Sequence, residues 1–174
     1  MPESELELVR ALGRGDSAAL DALMAAHLDA LVRITRVVAG DDAAANDAAQ
    51  EAFIRLWRNP AAFAGGNLLA WLVTVARHVA LNEHRGQKRR TGRHDTARLR
   101  PPSNPEIKVE SSDQLTQVRA FMGTLPEQER TALTLFAVQG LAQSEIATVL
   151  GTSEGAVKQA ILSARTKLRA RFEV

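Results

Sequence analysis

The stretch from Gly140 to Arg171, GLAQSEIATVLGTSEGAVKQAILSARTKLRAR, reads as a short helix, a tight turn and a longer helix, and that spacing leaves few folds open. Ile146, Val149 and Leu150 are apolar at helical intervals, and Ala147 is small where a second helix has to cross closely. The pattern predicts a helix over about Gln143 to Leu150. Gly151 ends it, because a left-handed residue just past the last apolar position favours glycine. Ser153 follows as the N-cap of the next helix. In that helix Val157, Ile161, Ala164 and Leu168 form one inward stripe, leaving Glu154, Lys158, Gln159 and Leu162 outside.

A helix-turn-helix places the N-terminal part of its second helix in the major groove, which makes Lys158 and Gln159 the expected contacts to phosphates and base edges. An ordinary pair of packed helices has the same apolar pattern, and the charge distribution separates the two readings. From Lys158 to the end the basic residues are Lys158, Arg165, Lys167, Arg169 and Arg171, against the single acid Glu173. Phosphate neutralisation is the usual reason for such loading, although cations also suit a helix C-terminus.

The rest of the 174-residue chain is helical in pattern too: alanine, leucine, valine and arginine dominate, and aromatics are 4%. There is no cysteine, hence no disulfide framework and no thiolate chemistry. The N-terminus, MPESELELVRALGRGD, is acidic and amphipathic where a signal peptide is basic and then apolar. No apolar run approaches the roughly 20 residues a membrane-spanning helix needs, so a cytoplasmic protein without membrane insertion is expected. The net charge of +2 conceals segregation. Residues 1–60 and 101–157 are each acidic, whereas 77–100 carry eight basic side chains against two acidic ones. Two basic faces for nucleic acid and an acidic face for another partner follow.

In the first 60 residues a short helix with Leu6, Val9 and Leu12 stops at Gly13 and Gly15, and Asp16 or Ser17 caps a second one built on Leu20, Leu23, Met24, Leu28, Leu31, Ile34 and Val38. A third, AAANDAAQEAFIRLW, turns Ala45, Ala49, Ala52, Phe53 and Leu56 inward and Asp47, Gln50 and Glu51 outward. After Asn59, Pro60 and the FAGGN loop, Asn67 caps a fourth helix with Leu68, Trp71, Leu72, Val75 and Val79 on its apolar stripe. Arg77, Arg85, Lys88, Arg89 and Arg90 give this helix a basic end. A glycine loop with Phe63 ahead of such a helix fits single-stranded nucleic acid, with bases near the loop and phosphates on the cations; core packing is the alternative for Phe63 and Trp71.

Residues 88–111 lack period and contain three prolines, which marks a linker. The expected organisation is an N-terminal domain over 1–90, a flexible linker over 91–111 and a helix-turn-helix domain over 112–174. The last begins with Gln114 to Met122 and continues, with Pro126 at its first helical position, to about Val138. His27, His78, His84 and His94 show no ligand pairing, and no glycine-rich phosphate loop or nucleophile beside a base occurs. An enzyme, a metal site or a cofactor is therefore not expected.

In order, DAAQEAFIRLW, FAGGNLLAWLVTVAR, the basic helix end, the proline-bearing linker, LPEQERTALTLFAVQGLAQSEIATVLGTSEGAVK and ARTKLR resemble a bacterial extracytoplasmic-function sigma factor of the sigma-70 family, over nearly the whole chain. The resemblance implies an all-α fold of two small domains, the first binding RNA polymerase core enzyme and the minus-ten promoter element, the second the minus-thirty-five element. It places Asp47, Gln50, Glu51 and Phe53 on the polymerase-binding helix. Gly65 to Asn67 match the loop that captures a flipped base, Arg77, Arg85, Lys88, Arg89 and Arg90 the helix along promoter DNA, and Ser153, Val157, Lys158, Arg165 and Leu168 the recognition helix. It also implies a cognate anti-sigma factor and a monomer when free. The chain departs from the family at Ala160, Ile161, Leu162 and Ser163, where similar members often carry arginine, leucine, histidine and arginine, so that three polar DNA-facing choices are lost. Ala48 and Ala49 replace larger apolar residues, and His78 stands where asparagine is common. A sigma mimic that sequesters an anti-sigma factor is the competing reading; it has no need of Arg85 to Arg90.

Overall fold

The computed structural model describes residues 3–39, 42–91 and 113–172. These form eight α-helices and one 3-10 turn, with no strand among the described residues. The helices are α1 (Glu3–Gly13), α2 (Ser17–Ala39), α3 (Asp42–Arg58), α4 (Leu68–Thr91), α5 (Asp113–Thr124), α6 (Glu127–Ala137), α7 (Gln143–Leu150) and α8 (Glu154–Phe172); the 3-10 turn is Pro60–Ala62. The all-α fold expected from the sequence is the fold observed.

Local chemistry sets most of the boundaries. Asp16, rather than Ser17, caps α2: its Oδ1 accepts from the Ala18 N–H at 3.0 Å. Asn67 Oδ1 accepts from the Ala70 N–H at 3.1 Å and starts α4. Ser153 Oγ accepts from the Ala156 N–H at 3.2 Å and starts α8. Each satisfies an amide that the first turn of a helix leaves without a partner. Pro126 corrects the expectation for α6. It is the N-cap and not the first helical residue, its ψ of 143° being extended, so Glu127 opens the helix and puts a carboxylate at its positive end. Gly151 has φ 63° and ψ 41°. With it the Thr152 N–H turns back to the Ala147 carbonyl at 3.0 Å, closing α7 as its glycine predicts.

In the N-terminal half α2, α3 and α4 pack mutually and α1 lies on α2; in the C-terminal half α6, α7 and α8 do the same. Leu23, Leu31, Ile34, Phe53, Leu56, Leu68 and Leu72 are shut from water in the first, and Leu135, Ile146, Val149 and Val157 in the second. An edge-to-face contact of Phe121 with Phe172, centroids 5.7 Å apart, ties α5 to the end of α8. The halves also pack on each other, α7 on α4 and α6 on α2, and their buried side chains join in one hydrophobic cluster. This explains why the buried face of α4 is wider than its predicted stripe, taking in Ala70, Val73, Ala76 and Ala80: the helix is covered from more than one side.

Candidate nucleic-acid and polymerase interface

The outward row of α3 is the first candidate face. Ala45, Ala48, Ala49, Ala52, Phe53 and Leu56 turn into the core, which leaves Asp47 and Gln50 exposed and Glu51 half-buried. Arg55 Nε donates to Glu51 Oε1 at 2.8 Å, one turn along. Asp47, Gln50, Glu51, Ile54 and Arg55 line a groove against Val79 and Asn82 of α4. Phe53, expected among the polymerase-binding residues, is 2% exposed and supports this face from inside. The exposed apolar members are Ile54 and Trp57, which sequence reasoning passed over. Their signal was the same helical period: Gln50, Ile54 and Trp57 continue one outward row.

The loop ahead of α4 needs its glycines. Gly65 and Gly66 have φ of 113° and 91°, a region that side chains rarely adopt, and both are exposed. Phe63 is not available to bases. It is buried at 5% and meets Trp71 edge to face, centroids 6.1 Å apart. Asn67 spends its carbonyl oxygen on the helix cap. Further along α4, Arg77 points toward the other half, its Nη2 lying 3.6 Å from Glu127 Oε1 with 18% of its side chain exposed. The backbone of α4 continues through Arg85, Lys88, Arg89 and Arg90 to Thr91, so the basic run is helical; its side chains lie outside the described residues, as does nearly all of the linker.

The second face is on α8. Lys158 and Gln159 are exposed, and their side chains make no hydrogen bond or ion pair among the described residues. Ser153 serves as the cap. Arg165 is exposed, with its guanidinium carbon 5.1 Å from the Phe136 ring centroid, a contact that holds the cation in place. Lys167 reaches Glu129 at 2.7 Å, and Ser163 donates to the same carboxylate at 3.1 Å; both are thereby drawn toward α6. Of the positions where the chain departs from its resemblance, Ala160 is 8% exposed and packs in the core while Leu162 is 56% exposed. The loss of polar choices on the outward face is smaller than the sequence suggested.

Between the halves sits Arg130. Its Nη1 donates to the Gly123 carbonyl at 3.2 Å and its Nη2 to the Val37 carbonyl at 3.1 Å. Burial lowers the pKa of this guanidinium, and Glu127 opposes the shift. Among the described residues no cluster of histidine or carboxylate side chains could hold a metal, and no helix is long and apolar enough to cross a membrane.

A helix-turn-helix with exposed basic residues, beside a helical half with an acidic outward row, is the charge pattern of a DNA-binding protein that also meets a protein partner. Residues 23–90 match the family model for sigma-70 region 2 and residues 115–168 that for sigma-70 region 4. The chain is 30% identical to the RNA polymerase sigma-H factor of Pseudomonas aeruginosa over 175 residues, 94% of this chain and 91% of that one. It is also 30% identical to the ECF RNA polymerase sigma factor SigL of Mycobacterium tuberculosis over 158 residues, 88% and 89% of the two chains. The chain belongs to the sigma-70 family, among its extracytoplasmic-function RNA polymerase sigma factors. Solved structures agree on the fold. The sigma factor RpoE from Bartonella quintana, crystallised with the anti-sigma factor NepR, matches with a TM-score of 0.71 at 21% identity, covering 88% of this chain and 96% of that one. CnrH, in complex with the cytosolic domain of CnrY, matches with a TM-score of 0.70 at 24% identity and 98% coverage of both.

Proposed function

We propose that this chain is an alternative sigma factor that binds RNA polymerase core enzyme through the α3 face, directs it to promoters and catalyses nothing itself. Asp47, Gln50 and Glu51 are the polar contacts, with Ile54 and Trp57 as apolar neighbours. The end of α4 and the Gly65–Asn67 loop take the minus-ten element, and Lys158, Gln159 and Arg165 on α8 take the minus-thirty-five element. Residues 1–90 and 112–174 are the two working domains and 91–111 their linker; the protein acts in the cytoplasm as a monomer when free. Control by a cognate anti-sigma factor is supported by the fold it shares with a sigma factor solved in complex with an anti-sigma factor.

The observation that carries the reading is the pair of outward faces, acidic on α3 and basic on α8, on the two regions that match the family. Their packing has a consequence for the mechanism. Sites two DNA turns apart lie about 70 Å from each other, so halves in contact cannot occupy both, and promoter engagement parts α7 from α4. In vitro transcription with core polymerase and a genomic promoter library tests the proposal: transcripts from a defined promoter set that depend on this chain and vanish with Asp47→Ala/Gln50→Ala are expected. Tight anti-sigma binding with no transcript from any promoter would establish a sequestering mimic instead.

A further inference from the structure

Leu162 is one of four large hydrophobic side chains exposed in the described structure, at 56%. It stands on α8 almost opposite the buried stripe of Val157, Ala160, Ile161 and Ala164. At about 100° per residue it sits between Lys158 and Gln159 on the helix surface, one turn beyond them. Arg165 and Arg169, both exposed, extend the same row. An apolar side chain left more than half exposed at the centre of a cationic row adds little to the core. Of the four bases only thymine offers an apolar group, its 5-methyl, to the major groove.

We propose that Leu162 is a specificity-determining residue of the recognition helix, reading thymine through its methyl group. The distance along the helix from Lys158 to Leu162 is about 6 Å, close to two base-pair steps of roughly 3.4 Å. Leu162 therefore covers the groove floor about two steps from the base beside Lys158, and one to two from the base pair facing Gln159. The two readers divide the labour: the amide of Gln159 matches a hydrogen-bonding edge, and Leu162 excludes water from a methyl. Ala160 takes no part, being in the core. Lys158 and the arginines supply the sequence-independent attraction that brings the helix to the groove. The inference rests on the assignment of α8 to the minus-thirty-five element.

The test uses holoenzyme reconstituted from core polymerase and the full chain. A duplex library randomised across the minus-thirty-five element is selected for binding, and the preferred duplex is remade with deoxyuridine in place of each thymine in turn, which removes the methyl and nothing else. One or two adjacent substitutions are expected to weaken wild-type binding about fourfold each, the scale of one buried methyl. The same substitutions should leave Leu162→Ala unchanged, because that variant has already lost the contact. Since Leu162 is exposed, Leu162→Ala keeps the fold. A selected element without thymine in that register overturns the proposal, as does a uracil scan to which wild type is indifferent, or one to which Leu162→Ala responds as wild type does. Failure of the underlying assignment looks different: the selection returns no preferred sequence at all, and Lys158→Ala leaves binding unaltered.

Discussion

The guanidinium of Arg130 donates to the carbonyl of Val37 across 93 residues of sequence, 3.1 Å apart, and so fastens the start of α6 to the end of α2. The same group donates to the Gly123 carbonyl within its own half. A cation drawn out of water in this way is stabilised only while both carbonyls stay in place.

Arg130→Met is expected to destabilise the packed protein by about 2 kcal/mol, the scale of hydrogen bonds to a charged group. Arg130→Lys, which keeps the charge but reaches one carbonyl, should fall between the two. Urea denaturation followed by circular dichroism measures this; coincident midpoints for all three proteins would show that the contact holds nothing.

The pairing of Arg77 with Glu127 links a DNA-binding candidate on α4 to the opposite half. The Glu127 side chain is 42% exposed, so Glu127→Gln should change stability by under about 1 kcal/mol. Its effect belongs in binding: with its partner gone, Arg77 is free for phosphate, and affinity of the free protein for a single-stranded oligonucleotide at low salt should rise by up to about fivefold. Adding Arg77→Ala should erase that gain; a gain that survives it assigns the effect elsewhere.

The cations of the α4 end and the amide on α8 should fail differently. Replacing any one of Arg85, Lys88, Arg89 or Arg90 by alanine should weaken holoenzyme binding across sequences and reduce the salt slope by about one. Gln159→Ala should cost roughly 1 to 3 kcal/mol at a single base pair with little change in slope. Equal weakening on every promoter variant would mean that Gln159 touches backbone only.

On α3, Phe53→Ala should cost about 3 to 5 kcal/mol, since it empties a packed core site, whereas Asp47→Ala should leave the unfolding midpoint unchanged and weaken only core-polymerase binding. Thermal melts beside a polymerase pull-down separate the two. Loss of pull-down by Phe53→Ala with an unaltered melt would contradict its internal placement.

Gly151→Ala meets no steric obstacle, as nothing lies within 4 Å of the added carbon. Its cost is the left-handed backbone, about 1 to 2 kcal/mol. A proline-scale loss, or none at all, in the unfolding free energy would refute the αL account of this turn.

How far the chain could be read in advance varied with the range of the forces involved. The bounds of α7, Gln143 to Leu150, were legible because Gly151 and Ser153 punctuate it within a few residues, and the inward members of α3 followed from period alone. Pro126 was misplaced by one position because proline suits both the cap and the first turn. The role given to Phe53 came from resemblance, although its own period already pointed it inward. Ala160 and Leu162 are adjacent in sequence, and their opposite fates depend on the phase of α8 against α6 and α7. The junction of the halves was not legible. Arg130 and Val37, like Arg77 and Glu127, lie far apart in sequence, and contacts at that separation leave no local pattern.

The two halves match separate family models, at 23–90 and 115–168, as though they were interchangeable parts. The continuous core says otherwise. A hybrid carrying residues 113–172 of a relative would bring that relative's α8, yet its α6 and α7 would meet α2 and α4 with side chains never fitted to them. On the proposed reading, promoter choice travels with α8 while the resting association of the halves does not. Drift on one half is answerable to the other at the surfaces where the two meet.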